Sequence, residues 1–195
     1  MALSSRGKIL VFSAPSGAGK TTLLSLLQSR MPNLVYSISA TTRQPRTGEV
    51  NGRDYFFLSE QEFQEKIQNN EFAEWREVHG NFYGTPCRCV RQTIEDGRNI
   101  CLDIDVHGKI QFDEVFPENI GFLIVPPSFE ELKQRLQHRG TDSPEAIALR
   151  LENARNELAV AREKGRYDYT IVNDDLQRAE AELFAIVERV CMVNQ

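Results

Sequence analysis

The sequence predicts an α/β fold, a parallel sheet covered by helices on both faces. Three observations carry that reading. The runs at 8–12 (KILVF), 100–104 (ICLDI) and 121–125 (GFLIV) are nearly continuous in apolar residues, as strands buried on both faces are. Segments with helical spacing or helix-start residues fall between them, which is the alternation of an α/β chain. The first run leads into SAPSGAGKTT, residues 13–22, and then into a helical pattern. Strand, glycine-rich loop and helix in that order put an anion site at the carboxyl end of a strand.

Each element follows in turn. Residues 8–12 read as a buried strand, and the helical pattern from Lys20 to Leu27 stops before Pro32. Residues 40–54 are polar, with Pro45, Gly48 and Gly52, and Tyr55 to Leu58 reads as a strand. Ser59-Glu60-Gln61-Glu62 spells a capping box, with Leu58 and Phe63 at the staple positions, so a helix is expected over about 60–69. Residues 71–90 are expected to be a short mixed segment with tight turns at His79-Gly80-Asn81 and Tyr83-Gly84. A helix over 88–96 ends at Gly97, and Ile100 to Asp105 reads as one strand carrying two carboxylates at its end. Gly121 to Val125 is a strand stopped by Pro126-Pro127, and Phe129 to His138 is helical. Ser143-Pro144 starts the next helix, with a capping serine and proline at its first position. Ile147, Leu151, Ala154, Leu158 and Ala161 then form one apolar stripe. A short strand at Tyr169–Val172 and a helix over about 176–191 complete the order.

A chain of 195 residues is long enough for one domain with a sizeable core. Its net charge of -5 argues against a general nucleic-acid binder, while local arginine clusters leave anionic ligands open. The start MALSSRGK has no long apolar stretch, and no run approaches the length of a membrane span. The expectation is a cytoplasmic protein with no membrane partner. Cys87, Cys89, Cys101 and Cys191 show one C-x-C spacing, without a second pair or a histidine at ligand spacing. They read as reduced thiols rather than a metal site.

The chemistry concentrates in the loop. Gly17 and Gly19 let successive amides point at an anion. Lys20 can reach β- and γ-phosphates, and Thr21 can ligate Mg²⁺. Ala14 stands where G-x-x-x-x-G-K-[ST] wants its first glycine. Alanine is harmless there if φ is negative, and that is the expectation. Asp103, ending an apolar strand, fits an acid that holds Mg²⁺ directly or through water, or an ordinary exposed strand-end carboxylate. Arg43 and Arg46, with Arg53 and Tyr55 near, suit a phosphate monoester, or form a solvated basic loop. Arg135, Arg139 and Arg150 could close over a transferring phosphoryl group, or lie on a solvated helix face.

The chain resembles the guanylate kinases, and the resemblance covers nearly its whole length. It is carried by SAPSGAGKT (13–21), SATTRQPRTGE (39–49), NGRDY (51–55), NEFAEW (70–75), NFYGT (81–85), LDID (102–105), RGT (139–141) and IVNDD (171–175). The T-T-R-x-P-R-x-G-E run and the Y-G-T triplet are more specific than the loop. The resemblance implies a P-loop NTPase-type core (about 1–37, 90–128 and 159–195), an inserted GMP-binding subdomain (38–89) and a helical lid (129–158). It implies transfer of the γ-phosphoryl of MgATP to GMP or dGMP, in guanine nucleotide recycling, by a monomer or small homo-oligomer. Position by position, it implies that Ala14, Pro15, Ser16, Gly17, Ala18, Gly19, Lys20, Thr21, Thr22 and Asn173 contact ATP. Arg43, Arg46, Tyr55 and Tyr83 would hold the GMP phosphate, and Ser39, Glu74, Thr85 and Asp105 the guanine. Lys20, Arg43, Arg135, Arg139 and Arg150 would be the catalytic cations, with Thr21 and Asp103 serving Mg²⁺. Guanine offers two donors, N1–H and N2–H₂, beside the O6 acceptor, so two carboxylates and a hydroxyl match its edge, while adenine would leave buried acceptors unpaired. Two other readings are a kinase of a ribose-bisphosphate-type ester and a non-catalytic binding module. The first would lose Glu74, Thr85 and Asp105. The second would lose the loop.

Overall fold

Two sheets organise the computed structural model, which describes residues 6–138 and 143–192. The larger is wholly parallel, in the order β2 (Val35–Tyr36), β7 (Ile100–Asp103), β1 (Ile9–Ser13), β8 (Ile120–Val125) and β9 (Tyr169–Val172). All five residues of β1 are buried. Its side chains alternate between two cores, which is why the run is apolar throughout. Leu10 and Phe12 pack with Leu23, Leu24 and Leu27 of α1 (Lys20–Arg30) and with Ala179, Leu183 and Val187 of α7 (Leu176–Met192). Ile9 and Val11 pack with Val90 and Ile94 of α3 (Cys87–Glu95) and Phe112 of α4 (Val106–Val115).

The smaller sheet runs β4 (Phe56–Phe57), β3 (Ala40–Thr41), β6 (Asn81–Pro86), β5 (Phe72–Val78). Here β3 and β4 are parallel, and the β5–β6 hairpin is antiparallel. Helix α2 (Glu60–Gln68) seals this sheet through Phe63, whose ring stacks 4.4 Å from that of Phe72. Its capping box is complete: the Glu62 amide donates to Ser59 Oγ at 3.2 Å and the Ser59 amide to Glu62 Oε2 at 2.7 Å. Helices α5 (Phe129–His138) and α6 (Pro144–Lys164) share a third cluster, Leu132, Leu136, Ile147 and Ala154. The apolar stripe of α6 continues past this cluster, where Ala161 meets Val106 and Leu123.

Two expectations are corrected. Tyr83-Gly84 is not a turn: both residues lie within β6, opposite Arg76 and Trp75. Gly84 is closely packed: a Cβ would sit 3.0 Å from the Glu74 carbonyl oxygen and 3.1 Å from the Phe63 and Phe72 rings, so these neighbours would have to give way. The turn lies at His79-Gly80, with φ of 51° and 74°. The strand expected over 100–105 ends at Asp103. Asp105 instead caps α4, its Oδ1 accepting from the Gly108 amide at 2.7 Å. The four cysteines are free, and no helix among the described residues is long and apolar enough to cross a membrane.

Candidate functional site

The loop after β1 is built around backbone groups. Gly17 and Gly19 have φ of 90° and 95°, conformations that glycine adopts without strain. Among the described residues only Asn70 and His79 have positive φ without being glycine, so Ala14 has negative φ and its methyl sits buried beside the strand end. Helix α1 starts from Gly19 with no side-chain cap and no acidic residue in its first turn. Its first amides therefore remain available to an anion, with the positive end of the helix dipole behind them. Thr21 and Thr22 are exposed on that turn.

Sheet register brings the acid to the loop. Phe12 pairs with Asp103 across β1 and β7. Lys20 forms an ion pair with Asp103 and donates to the Ile104 carbonyl at 3.1 Å. Tyr36 donates to Asp103 Oδ2 at 3.4 Å, and burial beside that carboxylate keeps its phenol protonated. Asn173, expected near a bound base, is buried under the loop and donates to the Ala18 carbonyl at 2.8 Å. A Cβ on Gly19 would lie 2.2 Å from its Nδ2.

Between the two sheets is a cavity of about 240 Å³ lined by Ser39, Tyr55, Glu74, Tyr83, Asp103 and Asp105. Six residues expected from different stretches of sequence meet there. Glu74 faces Thr85 across the hairpin and is 9% exposed. The Thr85 hydroxyl, itself buried, donates to Glu74 Oε1 at 2.6 Å, so its proton is committed to that carboxylate in this structure. Burial lifts the Glu74 carboxyl to about 7; Asp105 pushes the same way, while Thr85 and Arg76 oppose. Asp105 is held at both oxygens, Oδ1 by the Gly108 amide and Oδ2 by Arg76 Nη1 at 2.6 Å.

At one edge of the smaller sheet, Arg43 makes a fork on Glu49, at 3.0 and 2.9 Å, and lies 5.3 Å over the Tyr55 ring. Tyr83 stands edge-on to Tyr55, 6.1 Å between centroids. The Arg46 amide donates to Glu49 Oε2 at 2.7 Å, which leaves the exposed Arg46 side chain beside Arg43 on one loop. Arg53 turns to Asp54 and the Gly48 carbonyl. On α6, Arg150 donates to Ser16 Oγ at 3.2 Å, and Glu157 Oε2 accepts from the Ser16 amide at 3.4 Å. Arg135 pairs with Glu131 and reaches the Asp174 carbonyl. Arg139 lies outside the described residues.

Sequence reasoning missed Arg76, Glu49 and Glu157. Arg76 is two residues beyond Glu74, a spacing that puts both on one face of a strand, but 71–90 reads in sequence as a short mixed segment with tight turns rather than as a strand. Glu49 stands inside the T-T-R-x-P-R-x-G-E run with no role assigned. Glu157 follows Arg150 by seven residues, two helical turns, and so shares its face. Thr21 and Asp103 offer hard oxygens at the loop mouth, and among the described residues no three His, Cys, Asp or Glu side chains are placed to hold a metal ion together. That sparse oxygen set suits Mg²⁺, which keeps waters and substrate oxygens for most of its positions. It is unlike the all-protein cage of a structural metal.

Comparison with known proteins gives one consistent result. The family model described as guanylate kinase matches residues 6–190. The guanylate kinase of Caldanaerobacter subterraneus subsp. tengcongensis is 43% identical over 187 residues, 96% of this chain and 89% of the relative. That of Shewanella violacea is 48% identical over 186 residues, 95% and 88% of the two chains. The crystal structure of guanylate kinase from Anaplasma phagocytophilum superposes with a TM-score of 0.72 at 35% identity, covering 96% of this chain and 88% of the other.

Proposed function

The chain belongs to the guanylate kinase family, and from that premise we propose how its residues divide the transfer of a phosphoryl group from ATP to GMP. The reaction is a phosphotransfer giving ADP and GDP, and dGMP, which lacks only the ribose 2′ hydroxyl, is accepted too. Residues 38–89 bind the acceptor, 129–158 form the lid, and the parallel sheet carries the donor site.

Residues 14–22 cradle the donor phosphates, with the amides of Gly17 and of Gly19 to Thr22 at the α1 N-terminus donating, and Lys20 leaves Asp103 to reach the transferring group. Thr21 and Asp103 would hold Mg²⁺, which supplies charge neutralisation on the phosphate oxygens when bound. Arg43 and Arg46, with the hydroxyls of Tyr55 and Tyr83, take the acceptor phosphate, and Glu49 preorganises the Arg43 guanidinium and the backbone at Arg46. Ser39, Glu74 and Asp105 face the guanine, and Thr85 acts by orienting Glu74. Asn173 braces the loop backbone that the adenine nucleotide lies on. Arg150, Arg135 and Arg139 come from the lid to stabilise charge in the transition state. No general base is required, since the acceptor phosphate has a second pKa of about 6 and is largely dianionic at neutral pH. Lid closure excludes water that would otherwise take the phosphoryl group.

The observation that carries this reading is the cavity where Glu74 of β5 and Asp105, just past the end of β7, meet beside the loop that leads into α1. The test offers GMP, dGMP, AMP, UMP and a ribose bisphosphate with MgATP and measures ADP release. Rapid turnover of GMP and dGMP is expected, with AMP and UMP slower by orders of magnitude. AMP or the ribose ester turning over as fast as GMP would overturn the base-recognition assignment, and no GDP formation would favour a binding module.

A further inference from the structure

We propose that Arg76 is a positioning residue for base selection: its guanidinium fixes the Asp105 carboxylate and offsets the negative charge of the acceptor cavity. This rests on the reading of Glu74 and Asp105 as guanine acceptors.

Geometry comes first. Arg76 lies on β5 two residues after Glu74, so both side chains leave the same face of the strand. Its Nη1 reaches Asp105 Oδ2 at 2.6 Å. The other oxygen of Asp105 is already spent on the α4 cap, at 2.7 Å from the Gly108 amide. The carboxylate is therefore pinned at both ends and has little freedom to rotate. Each carboxylate oxygen has two lone pairs, so Oδ2 can hold Arg76 and still accept from a purine N–H. A single fixed acceptor in a half-buried site is what discriminates a donor edge from an acceptor edge.

Charge gives the second argument. Glu74, Asp103 and Asp105 line one cavity of about 240 Å³, and Arg76 is the only cation among its described lining residues. Asp103 is offset by Lys20. Glu74 accepts best from guanine when ionised, and the nearby Asp105 carboxylate opposes that ionisation. Arg76 is the group placed to relieve that repulsion, and it acts against the protonation of Glu74. Arg76 also borders a larger cleft of about 910 Å³ with Ser16, Arg150 and Glu157. It therefore stands where the base cavity opens toward the phosphate loop. Its partial exposure, 35% of the side chain, means that removing it leaves no buried hole.

The experiment is steady-state kinetics of Arg76→Ala and Arg76→Lys, with GMP, IMP and ATP each varied. IMP keeps the purine and phosphate but lacks the exocyclic amine. Loss of a contact to a charged group predicts that Arg76→Ala raises KM for GMP about tenfold to a hundredfold. Its kcat and KM for ATP should stay within about twofold, and the preference for GMP over IMP should narrow. Arg76→Lys should recover most of the lost affinity, because it restores the charge. A merely structural role would instead move kcat, both KM values and melting temperature together, and that result overturns the proposal. An unchanged KM for GMP overturns it too, and a lowered KM would show Arg76 to be a competitor of the nucleotide. Asp105→Asn separates the two levels. If it leaves KM for GMP unchanged, the reading of Asp105 as a base acceptor fails. If it raises KM while Arg76→Ala does not, only the role of Arg76 fails.

Discussion

Glu74 is buried where the proposed recognition of guanine requires a charge. Its carboxyl titrates near 7 rather than the usual 4.5, chiefly because burial disfavours the anion. Below about 4.5 the group is protonated whether the chain is folded or not. Between 4.5 and about 7 the unfolded chain gives up that proton while the folded chain keeps it, so this group's contribution to stability falls as pH rises through that window. Glu74→Gln should flatten the stability profile between those values, measured by chemical denaturation at a series of pH values. In the proposed reading recognition runs the other way, because the ionised form would accept from guanine. KM for GMP should fall as pH rises through about 7, above the titration of the acceptor phosphate at about 6. Glu74→Gln should lose the upper limb and keep the lower; identical pH dependence in both proteins would refute the assignment. Lys20 offers a second test. Lys20→Met should abolish turnover and leave GMP binding by calorimetry within about threefold, because Lys20 contacts Asp103 and a backbone carbonyl rather than the guanine acceptors. Part of this scale was legible in the chain: Lys20 and Arg43 stand out by type and motif, while Glu74 and Asp105 were pointed to by the family resemblance alone. What was not legible is who holds whom. That Thr85 spends its proton on Glu74, or that Asn173 props the loop, depends on strand register and on packing between segments 155 residues apart.

The elements differ in how plainly they were written. Helix α2 has both halves of a capping box and a strong hydrophobic anchor, and it begins where Ser59 and Glu62 require. Local hydrogen bonds within four residues suffice to mark such a start. Helix α4 has no such signature. The run Ile-Cys-Leu-Asp-Ile-Asp reads as strand up to Asp105, its cap is a carboxylate also paired to Arg76, and glycine stands in its first turn. That glycine has a tertiary cause: a Cβ on Gly108 would lie 2.5 Å from Ile104 Cγ2 and 2.7 Å from Glu74 Oε2. The β5–β6 hairpin was obscured for a similar reason, since Gly84 reports packing against Phe63 rather than a bend. Gly108→Ala should therefore act on recognition before it acts on folding. We expect a loss of about 1–3 kcal/mol in stability from overpacking, and a rise of about tenfold or more in KM for GMP as Glu74 is displaced. A normal KM in that variant would show that Glu74 does not need the space.

Across the whole molecule, the apolar interior is divided. The two faces of the parallel sheet have large cores, the smaller sheet has its own around Phe63 and Phe72, and α5 with α6 has another around Leu132, Leu136 and Ile147. Polar contacts at Ser16 join α6 to the phosphate loop, where Arg150 and Glu157 meet it from one helix face. The parallel core was legible because a strand covered on both faces needs apolar side chains at every position, and such runs stand out in the chain. The mixed sheet was not, because two-residue strands such as β3 and β4 acquire their identity from neighbours distant in sequence.

Separate interiors have a consequence for how substitutions combine. Ile147 belongs to the α5–α6 cluster, and Ile94 and Ile100 share the cluster under β1. Each isoleucine-to-valine change should cost about 0.5–1.5 kcal/mol. Ile147→Val with Ile94→Val should be additive to within about 0.5 kcal/mol, whereas Ile94→Val with Ile100→Val should deviate by more, since neighbours share the space that relaxes. A double-mutant cycle by denaturation checks both pairs. If the expectation holds, the α5–α6 cluster can accumulate changes in sequence without disturbing the core under β1, and each can be altered while the other is left as it is.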